Sequence, residues 1–294
     1  MLAGLTNKTK EKMLNRFDRG FIQNTKADIK NEKHSLNFFW FWTIPLYIIL
    51  LFFFIFFTWY TIFVSTHGYF WVQGASMKNT FNNTVADTDA RTSVDAVYIN
   101  KNERVSTFDV VVVKDNSGET VIKRVMAQEG DYITILKGEY DGHNCFYFYR
   151  IPANVFKTMD KTAFDDESAK LVEDSGAYEI MSYKDWGDNK TSEIYGSKVY
   201  EKVFFDKFLS DYDSENSNFF TSSAGVVYVK VPKGKVFCMG DNRGHSKDSR
   251  QEGFFKASNM QGKVEIVVYN HNFGNRFWVV VKYYFKQLEK FFAR

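Results

Sequence analysis

Residues 38–64 read FFWFWTIPLYIILLFFFIFFTWYTIFV, a run of 27 positions without a charged side chain. As a helix rising 1.5 Å per residue, this run would be about 40 Å long, more than the roughly 30 Å hydrocarbon core of a bilayer. Core helices of soluble proteins rarely stay uncharged for that length, so the run predicts a membrane span. Pro45 is expected in its first turns, where proline is tolerated. Aromatic side chains that favour the two membrane surfaces flank the centre: Trp40, Trp42, Trp59 and Tyr60.

The segment before this run carries the excess positive charge of the chain. Residues 1–37 contain eight Lys or Arg and four acidic side chains, whereas the whole chain has a net charge of +3. By the positive-inside rule we expect this basic tail in the cytoplasm and residues 65–294 outside. A cleaved signal peptide has a shorter apolar run and a shorter preface, so the pattern predicts an uncleaved, single-pass anchor in a plasma membrane. The small total charge gives no indication of nucleic-acid binding.

Beyond the predicted span, the sequence consists of short Val-rich runs separated by polar turns, and this pattern is typical of β-strands. No alternation of helices and strands occurs, which favours a mostly β, antiparallel fold over a parallel α/β sheet. We therefore expect residues 65–294 to form an extracytoplasmic catalytic β domain behind one N-terminal transmembrane helix. The predicted strands are Val94–Asn100, Asp109–Val113, Val121–Ala127, Tyr132–Leu136, Val226–Val231, Val236–Met239 and Val264–Tyr269.

Residues 138–225 differ from their surroundings in charge. They contain 17 acidic and nine basic side chains and show weaker periodicity than the flanking runs. This difference predicts an inserted acidic cap subdomain. The alternative is that the charge belongs only to a solvated surface.

The end of the chain has the pattern of an amphipathic helix over residues 277–294. Four basic residues are spaced four apart (Lys282, Lys286, Lys290 and Arg294), opposite an apolar set made of Val281, Phe285, Leu288 and Phe292. Two roles fit this pattern, a helix on the membrane surface or one that closes the domain. The uncharged runs are too short for a second span.

The two cysteines, Cys145 and Cys238, show no metal-ligand or redox spacing. Cys238 lies in an apolar run, where we expect a small buried side chain, and a disulfide with Cys145 stays an open alternative. The histidines likewise show no ligand spacing, so the sequence predicts no metal site.

Residues with catalytic side chains occur in three short clusters after the predicted span. The first is Gly74-Ala75-Ser76-Met77, the second is Ile122-Lys123-Arg124-Val125, and the third is 240–250. A serine hydroxyl becomes an effective nucleophile when a base removes its proton, and lysine is such a base only when neutral. Apolar neighbours disfavour the ammonium form and lower the pKa of a lysine from its usual ~10.4. Ser76 and Lys123 are therefore the candidate nucleophile and general base.

In their order along the chain and in residue identity, these clusters resemble the conserved motifs of bacterial type I signal peptidases, a family of serine proteases with a Ser–Lys dyad. The third motif is the most specific, because Gly-Asp-Asn-Arg-x-x-Ser-x-Asp-Ser-Arg at 240–250 agrees at every defined position. Residues 108–112 (FDVVV) also resemble the strand that precedes the lysine motif in that family.

The resemblance implies roles for residues around the dyad. Ser246 would hold Lys123 by a hydrogen bond, and Asp248 would form a structural ion pair with Arg250. Gly74 occupies the position where some relatives stabilise the oxyanion with a hydroxyl, so the backbone N–H of Ser76 is expected to serve instead. Further residues of the third motif are expected in support, namely Asp241 and Asn242. Arg124 and Arg243 are expected to brace loops, and His245 to face solvent.

Two positions depart from the family pattern. Asn79 stands where the family usually has a proline, although the following Thr80 matches. Residues 127–131 read AQEGD where the family has Gly-x-Pro-Gly-Asp. Both changes concern turn rigidity rather than a reacting atom, so we expect them to affect efficiency more than chemistry.

The resemblance also implies the substrates, which are preproteins carrying signal peptides, cleaved beside the lipid bilayer and near the translocation machinery without a cofactor. Ser76 follows the apolar run by 12 residues, which reach at most about 40 Å, so it lies near the membrane surface. Small residues such as Ala are expected before the cut, in an Ala-x-Ala-like pattern. The positions that match the family's shallow pockets are Phe70, Val72, Met77, Phe81, Val121 and Ile122.

Two other functions fit parts of the pattern. The first is a related Ser–Lys protease that cleaves itself or one dedicated partner, as self-cleaving repressors do. The predicted span and the absence of a DNA-binding region count against this function. A catalytically silent membrane protein could instead bind partners through residues 138–225. Labelling of Ser76 by a serine-reactive acylating probe separates the silent protein from both proteases.

Overall fold

A computed structural model of the chain describes residues 7–87, 89, 91–140, 143–171, 181–182, 192–195 and 197–293. The chain divides into two compact units, Met1–Ser65 and Thr66–Arg294. The first unit is helical throughout its described part, and the second contains all the described strands.

The first unit consists of one helix, α1, whose bounds are Asn7–Thr66. The expectation that Pro45 lies in the first turns is wrong, because the basic tail is helical as well and places the proline deep in the helix interior. Lys and Leu are frequent before residue 38, and both are good helix formers. Among the described residues, Trp40–Thr66 is the one helix long and apolar enough to cross a membrane, with a mean hydropathy of 2.3. Its large apolar side chains are mostly exposed.

The second unit contains fourteen described strands. The first seven are β1 His67–Trp71, β2 Ala96–Asn100, β3 Val110–Lys114, β4 Thr120–Gln128, β5 Tyr132–Tyr140, β6 His143–Ile151 and β7 Met181–Ser182. The other seven are β8 Ser192–Tyr195, β9 Lys198–Glu201, β10 Phe219–Thr221, β11 Val227–Lys230, β12 Lys235–Met239, β13 Phe255–Lys256 and β14 Met260–Val268. The helices of this unit are α2 Ala153–Thr158, α3 Lys202–Phe204, α4 Ser249–Glu252 and α5 Phe273–Phe292. Single turns of other helix types occur at Asp166–Ala169, Phe205–Leu209 and Ala257–Asn259.

The strands form two antiparallel sheets, which confirms the predicted mostly β fold. The first sheet has the order β1-β2-β14-β3-β4-β12-β13, so the last described strand lies in its interior, between β2 and β3. The second has the order β10-β11-β5-β6-β7, with β9 on β5 and β8 on β9. All seven predicted strands are present, with ends shifted by a few residues.

Seven of the fourteen described strands were not predicted: β1, β6, β7, β8, β9, β10 and β13. β1 (HGYFW) contains a glycine and a histidine, and the aromatic β6 (HNCFYFYRI) lies in the region interpreted as an insertion. Residue 138, the expected start of that insertion, falls inside β5, and the β5–β6 hairpin belongs to the second sheet. The described part of the region therefore contributes strands to the same domain. Residues 172–180 and 183–191 lie outside the described residues.

Helix α5 follows strand β14, and the side chain of Asn272 caps its N-terminus by accepting a hydrogen bond from the backbone N of Asn275. The side chains that it buries are Val280 and Tyr284. The apolar residues named in the sequence analysis are half-buried or exposed: Val281, Phe285, Leu288 and Phe292. The reason is that α5 packs its Val280 face on the sheet, so that set turns away from the domain.

Candidate active site

Ser76 lies in a tight turn that follows β1 and is half-buried. The backbone N of Gly74 donates to the carbonyl of Thr92 at 3.0 Å, which attaches the start of the turn to the segment before β2. Gly74 has φ +68°, a left-handed conformation that favours glycine over a residue bearing a hydroxyl. The backbone therefore explains why this position carries no serine or threonine.

The side chain of Asn82, which is completely buried, binds the turn by hydrogen bonds. Its Nδ2 donates to the carbonyls of Val72 at 2.6 Å and Gly74 at 2.9 Å. Its Oδ1 accepts from the backbone N of Val94 at 3.1 Å and of Asp95 at 2.9 Å. One side chain thus joins the two ends of the loop that carries Ser76.

Lys123 lies in the middle of β4, opposite Val111 of β3, and only 3% of it is exposed. Its Nζ donates to Ser76 Oγ at 3.0 Å. Burial is the main reason that the pKa of Lys123 lies below its usual value, against the opposing charge of Asp248. The structure therefore brings the two predicted reacting side chains into contact and favours the neutral amine that a general base requires.

Ser246 does not make the contact that the resemblance implies. Its Oγ is buried and forms no hydrogen bond with any described residue, so the expected bond to Lys123 is not formed in this structure. The side chain lies against Gly240, where an added Cβ would overlap both Ser246 Oγ and the carbonyl oxygen of Ser76. Gly240 is thus needed for the close approach of the third motif to the serine turn.

Asn242 attaches the third motif to the serine turn. Its backbone N donates to the carbonyl of Ser76 at 3.1 Å, and its Nδ2 donates to the carbonyl of Ala75 at 3.1 Å. These bonds hold the backbone on both sides of the N–H of Ser76. The support expected of Asn242 therefore has a direct geometric basis.

Asp241 forms a bidentate pair with Arg124, the residue after Lys123. Arg124 donates through Nε at 2.8 Å and through Nη2 at 2.6 Å to the two carboxylate oxygens, and its Nη1 donates to the carbonyl of Phe108. Thr80 also donates its hydroxyl to the same carboxylate. Arg124 thereby braces β4 against the serine loop and the third motif.

Asp248 and Arg250 form a second bidentate pair, and both side chains are completely buried. Arg250 donates through Nε and Nη2 at 2.9 Å each. Although burial raises the pKa of Asp248, the charge of Arg250 holds it below its usual value. Asp248 also accepts from the backbone N of Gly240 at 3.0 Å, so the ion pair fixes the strand end beside Ser246.

A cavity of about 230 Å³ is lined by both Ser76 and Lys123. The rest of its wall is strongly charged. Acidic side chains dominate it, with two basic groups among them: Asp87, Asp89, Asp115, Glu119, Glu252, His245 and Lys247. His245 is exposed, as predicted for a loop residue.

Of the six predicted pocket residues, only Val121 lines this cavity. Four of the others lie in one hydrophobic cluster with strands β2 and β3: Val72, Met77, Phe81 and Ile122. Phe70 packs against the edge of that cluster. These five side chains form the floor under the serine turn rather than the walls of the open space beside it, because they point into the core of the first sheet.

The two departures from the family pattern have local explanations. Asn79 has φ +84°, which proline cannot adopt, and its backbone N donates to Asn83 Oδ1 at 2.9 Å. In the second turn, Asp131 accepts from the backbone N of Gln128 at 2.9 Å and of Ala153 at 2.9 Å. Gly130 supplies the positive φ of +86°. Both turns are therefore closed by side-chain hydrogen bonds instead of a proline ring.

Sequence reasoning missed Asn82, Asp95 and Glu252. Asn82 and Asp95 lie in a polar stretch of Asn, Asp and Thr that looks like an ordinary loop, and only the fold shows that both are buried. Glu252 follows the third motif by two residues, and its Oε2 is buried without a hydrogen-bond partner among the described residues. Both cysteines are free and buried, as expected for Cys238, so the structure contains no disulfide between them.

The chain matches the sequence profile of a known protein family. The sequence profile of the family described as "Signal peptidase, peptidase S26" matches residues 42–144 and 182–269, about two thirds of the chain. All three motifs lie inside the matched segments.

Individual relatives match smaller parts. Signal peptidase I of Aquifex aeolicus (strain VF5) is 27% identical over 172 residues, which are 55% of this chain and 62% of that protein. The match therefore spans less than two thirds of the relative's length. A crystal structure of a signal peptidase I from Enterococcus faecalis V583 is 17% identical and covers 55% of this chain and 98% of its own, with a TM-score of 0.27.

Proposed function

The chain belongs to the signal peptidase family, peptidase S26, and from this membership we propose that it is a membrane-bound serine endopeptidase. It removes N-terminal signal peptides from translocated preproteins, with Ser76 as the nucleophile and Lys123 as the general base. The observation that carries the proposal is the 3.0 Å distance between Ser76 Oγ and the Nζ of a lysine that is almost fully buried.

Acylation begins with transfer of the Ser76 hydroxyl proton to the neutral Nζ of Lys123, while Oγ attacks the scissile carbonyl carbon. The tetrahedral intermediate carries a negative oxygen. In the described part of the chain the backbone N–H of Ser76 donates no hydrogen bond, so it is available to this oxygen. Lys123 then returns the proton to the leaving amine, and the signal peptide stays esterified to Ser76.

Deacylation uses the same two groups. Lys123 is neutral again after the amine has left, so it removes a proton from a water molecule that attacks the ester carbonyl. Collapse of the second intermediate returns the proton to Ser76 Oγ and releases the signal peptide with a free carboxyl group. The dyad ends in its starting state.

Membrane placement follows from α1. Exposed apolar side chains along Trp40–Thr66 are stable in lipid and costly in water, and the basic residues before them favour the cytoplasmic side. The domain that starts at Thr66 then lies on the outer side, where the end of a translocated signal peptide emerges. Substrates would reach it beside the bilayer and near the translocation machinery.

The test is cleavage of a labelled preprotein by the full chain in bilayers, with sequencing of the new N-terminus. We expect Ser76→Ala to abolish cleavage and Lys123→Ala to reduce kcat by about 10²–10⁴-fold. Matched controls are Ser106→Ala and Lys114→Ala, which alter exposed side chains outside the site and should leave the rate unchanged. Cleavage that persists in the Ser76 variant, or an N-terminus inside the mature protein, would overturn the proposal.

A further inference from the structure

Helix α5 exposes an apolar face that the domain does not cover. Residues 278, 281, 285, 288 and 292 are spaced three or four apart and therefore lie on one side of the helix. Trp278 is 60% exposed, Phe285 49% and Phe292 80%, whereas Val280 and Tyr284 on the packed side are buried. A helix that needs only its Val280 side for the fold thus carries three large hydrophobic side chains in the open.

A row of positive charge runs along the edge of this face. Lys282, Lys286 and Lys290 are exposed, are spaced four residues apart, and form no ion pair with any described residue. Glu289 is the one acidic side chain of the helix. Aromatic side chains beside a cationic row are the pattern of a helix that lies in a membrane surface, with its apolar face about 5–10 Å deep.

The fold places α5 against the residue that follows α1 in the chain. Tyr283 Oη donates to Glu265 Oε1 at 2.7 Å, and Glu265 Oε2 lies 2.9 Å from His67 Nε2. The rings of His67 and Tyr283 are also in contact, with centroids 6.0 Å apart. Since His67 directly follows α1, the middle of α5 is fixed to the first residue beyond that helix.

We propose that α5 lies in the membrane surface as a second attachment of the domain, with the side chains of Trp278, Phe285 and Phe292 among the acyl chains. Lys282, Lys286 and Lys290 contact anionic lipid headgroups. The inference rests on the membrane placement in the proposed function. Lipid is favoured over a second copy of the chain because the lysine row needs an anionic partner and the helix adjoins the end of the span. Two attachments, unlike one, fix the height and orientation of Ser76 above the bilayer.

The first experiment measures depth in the full chain reconstituted into bilayer discs of phosphatidylcholine and phosphatidylglycerol. A spin label is placed on Phe285→Cys, and its relaxation by oxygen, which enters lipid, is compared with that by a water-soluble nickel chelate. Both native cysteines are buried and stay unlabelled. Lys233→Cys, on an exposed turn, is the aqueous reference, and Phe53→Cys, in the middle of the span, is the lipid reference.

We expect the oxygen-to-nickel ratio at Phe285 to exceed that at Lys233 several-fold and to approach the ratio at Phe53. A ratio equal to that at Lys233 overturns the proposal while the span stands. A ratio at Phe53 that equals the Lys233 value removes the span itself and the proposed function with it. Spectral broadening at Phe285 that disappears on dilution with unlabelled chain assigns the face to a second copy, and this also overturns the proposal.

The second experiment tests the charged edge. The triple variant K282Q/K286Q/K290Q should lower the oxygen-to-nickel ratio at Phe285 in anionic discs and have no effect in discs of phosphatidylcholine alone. Its cleavage of a bilayer-embedded preprotein should fall several-fold, while cleavage of a short soluble peptide stays unchanged. The matched control is the triple variant K101Q/K114Q/K233Q, which removes three exposed lysines elsewhere. Equal behaviour of the two triple variants in every assay refutes the lipid contact.

Discussion

Asn82 and Asp95 are hydrogen-bonded to each other in both directions. The backbone N of Asn82 donates to Asp95 Oδ2 at 2.7 Å, and the backbone N of Asp95 donates to Asn82 Oδ1 at 2.9 Å. Both residues are buried, and neither belongs to a motif that the family resemblance identifies. The position of Ser76, the proposed nucleophile, therefore depends on a pair of side chains that lie outside the proposed dyad.

Asn82→Ala should destabilise the protein and reduce cleavage together. The change leaves two carbonyls and two backbone N–H groups without their partner, at about 1–3 kcal/mol for each buried group that stays unsatisfied. We expect a loss of at least about 3 kcal/mol, seen as a lower urea midpoint in equilibrium unfolding. Asn82→Asp keeps the side-chain acceptor, so its urea midpoint should lie between those of Asn82→Ala and the parent protein. Thr84→Ala, a nearby exposed residue, is the control, and an Asn82→Ala variant as stable as that control would contradict the structure.

Restoring the family's proline should impair this protein. Asn79 has φ +84°, whereas proline fixes φ near −65°, so Asn79→Pro forces the serine turn into another conformation and removes the N–H that bonds Asn83. Thermal unfolding and peptide cleavage should both show a loss. Asn79→Gly permits the same φ and should behave like the parent within a few tenths of a kcal/mol. An Asn79→Pro variant of undiminished activity would mean that the turn has the family's usual backbone.

Replacing the general base should stabilise the fold at neutral pH. Burial lowers the pKa of Lys123 in the folded chain, whereas an unfolded lysine keeps a pKa near ~10.4. Between these two values the unfolded state binds more protons at this group, so stability rises with pH across that window. Lys123→Met should therefore unfold at a higher temperature than the parent at pH 7, with a difference that shrinks toward pH 10. Lys114→Met, at an exposed strand end, should show no such pH dependence.

The same protonation sets the pH profile of catalysis. Only the neutral amine accepts the Ser76 proton, so kcat/KM for a peptide substrate should fall as the pH drops through the lowered pKa of Lys123. The peptide substrate should contain no titratable group, so that the pH dependence of kcat/KM reports ionisation of the enzyme alone. A rate that rises on acidification would exclude Lys123 as the base.

Breaking the buried ion pair should be far more damaging than breaking an exposed one. Asp248→Asn leaves the Arg250 guanidinium buried without its counter-charge, which costs about 3–5 kcal/mol. Asp206→Asn removes the carboxylate of an exposed i,i+4 pair with Lys202 and should leave the unfolding midpoint almost unchanged. Equal effects of the two substitutions would show that the Asp248 site is open to solvent.

The sequence was sufficient to predict a long apolar helix, seven strands, and the contact of Ser76 with Lys123. Each of these depends on local pattern or on a motif whose spacing is strict. The buried state of Lys123 was also predictable, because Val121, Ile122, Val125 and Met126 surround it in one strand. An apolar strand around a single lysine leaves few other environments for it.

The rest depended on contacts between distant parts of the chain. The sequence does not show that Phe70, Val72 and Phe81 belong to a core instead of an open pocket, because an apolar side chain fits both environments. Nor does it show which side of α5 packs, since Val280 and Val281 are equally apolar and only the angle of the helix on the sheet decides between them. The roles of Asn82 and Ser246 likewise follow from the folded backbone alone.

The position of β14 in the first sheet determines how much of the chain must be synthesised before that sheet can form. The serine turn follows β1, which pairs with β2, whereas Lys123 lies on β4, which pairs with β3, and the two pairs are joined edge to edge only by β14. A ribosome must therefore synthesise the chain through Val268 before that sheet can close around Ser76 and Lys123. Under the proposed function, the chain gains no proteolytic activity until nearly all of it has been made.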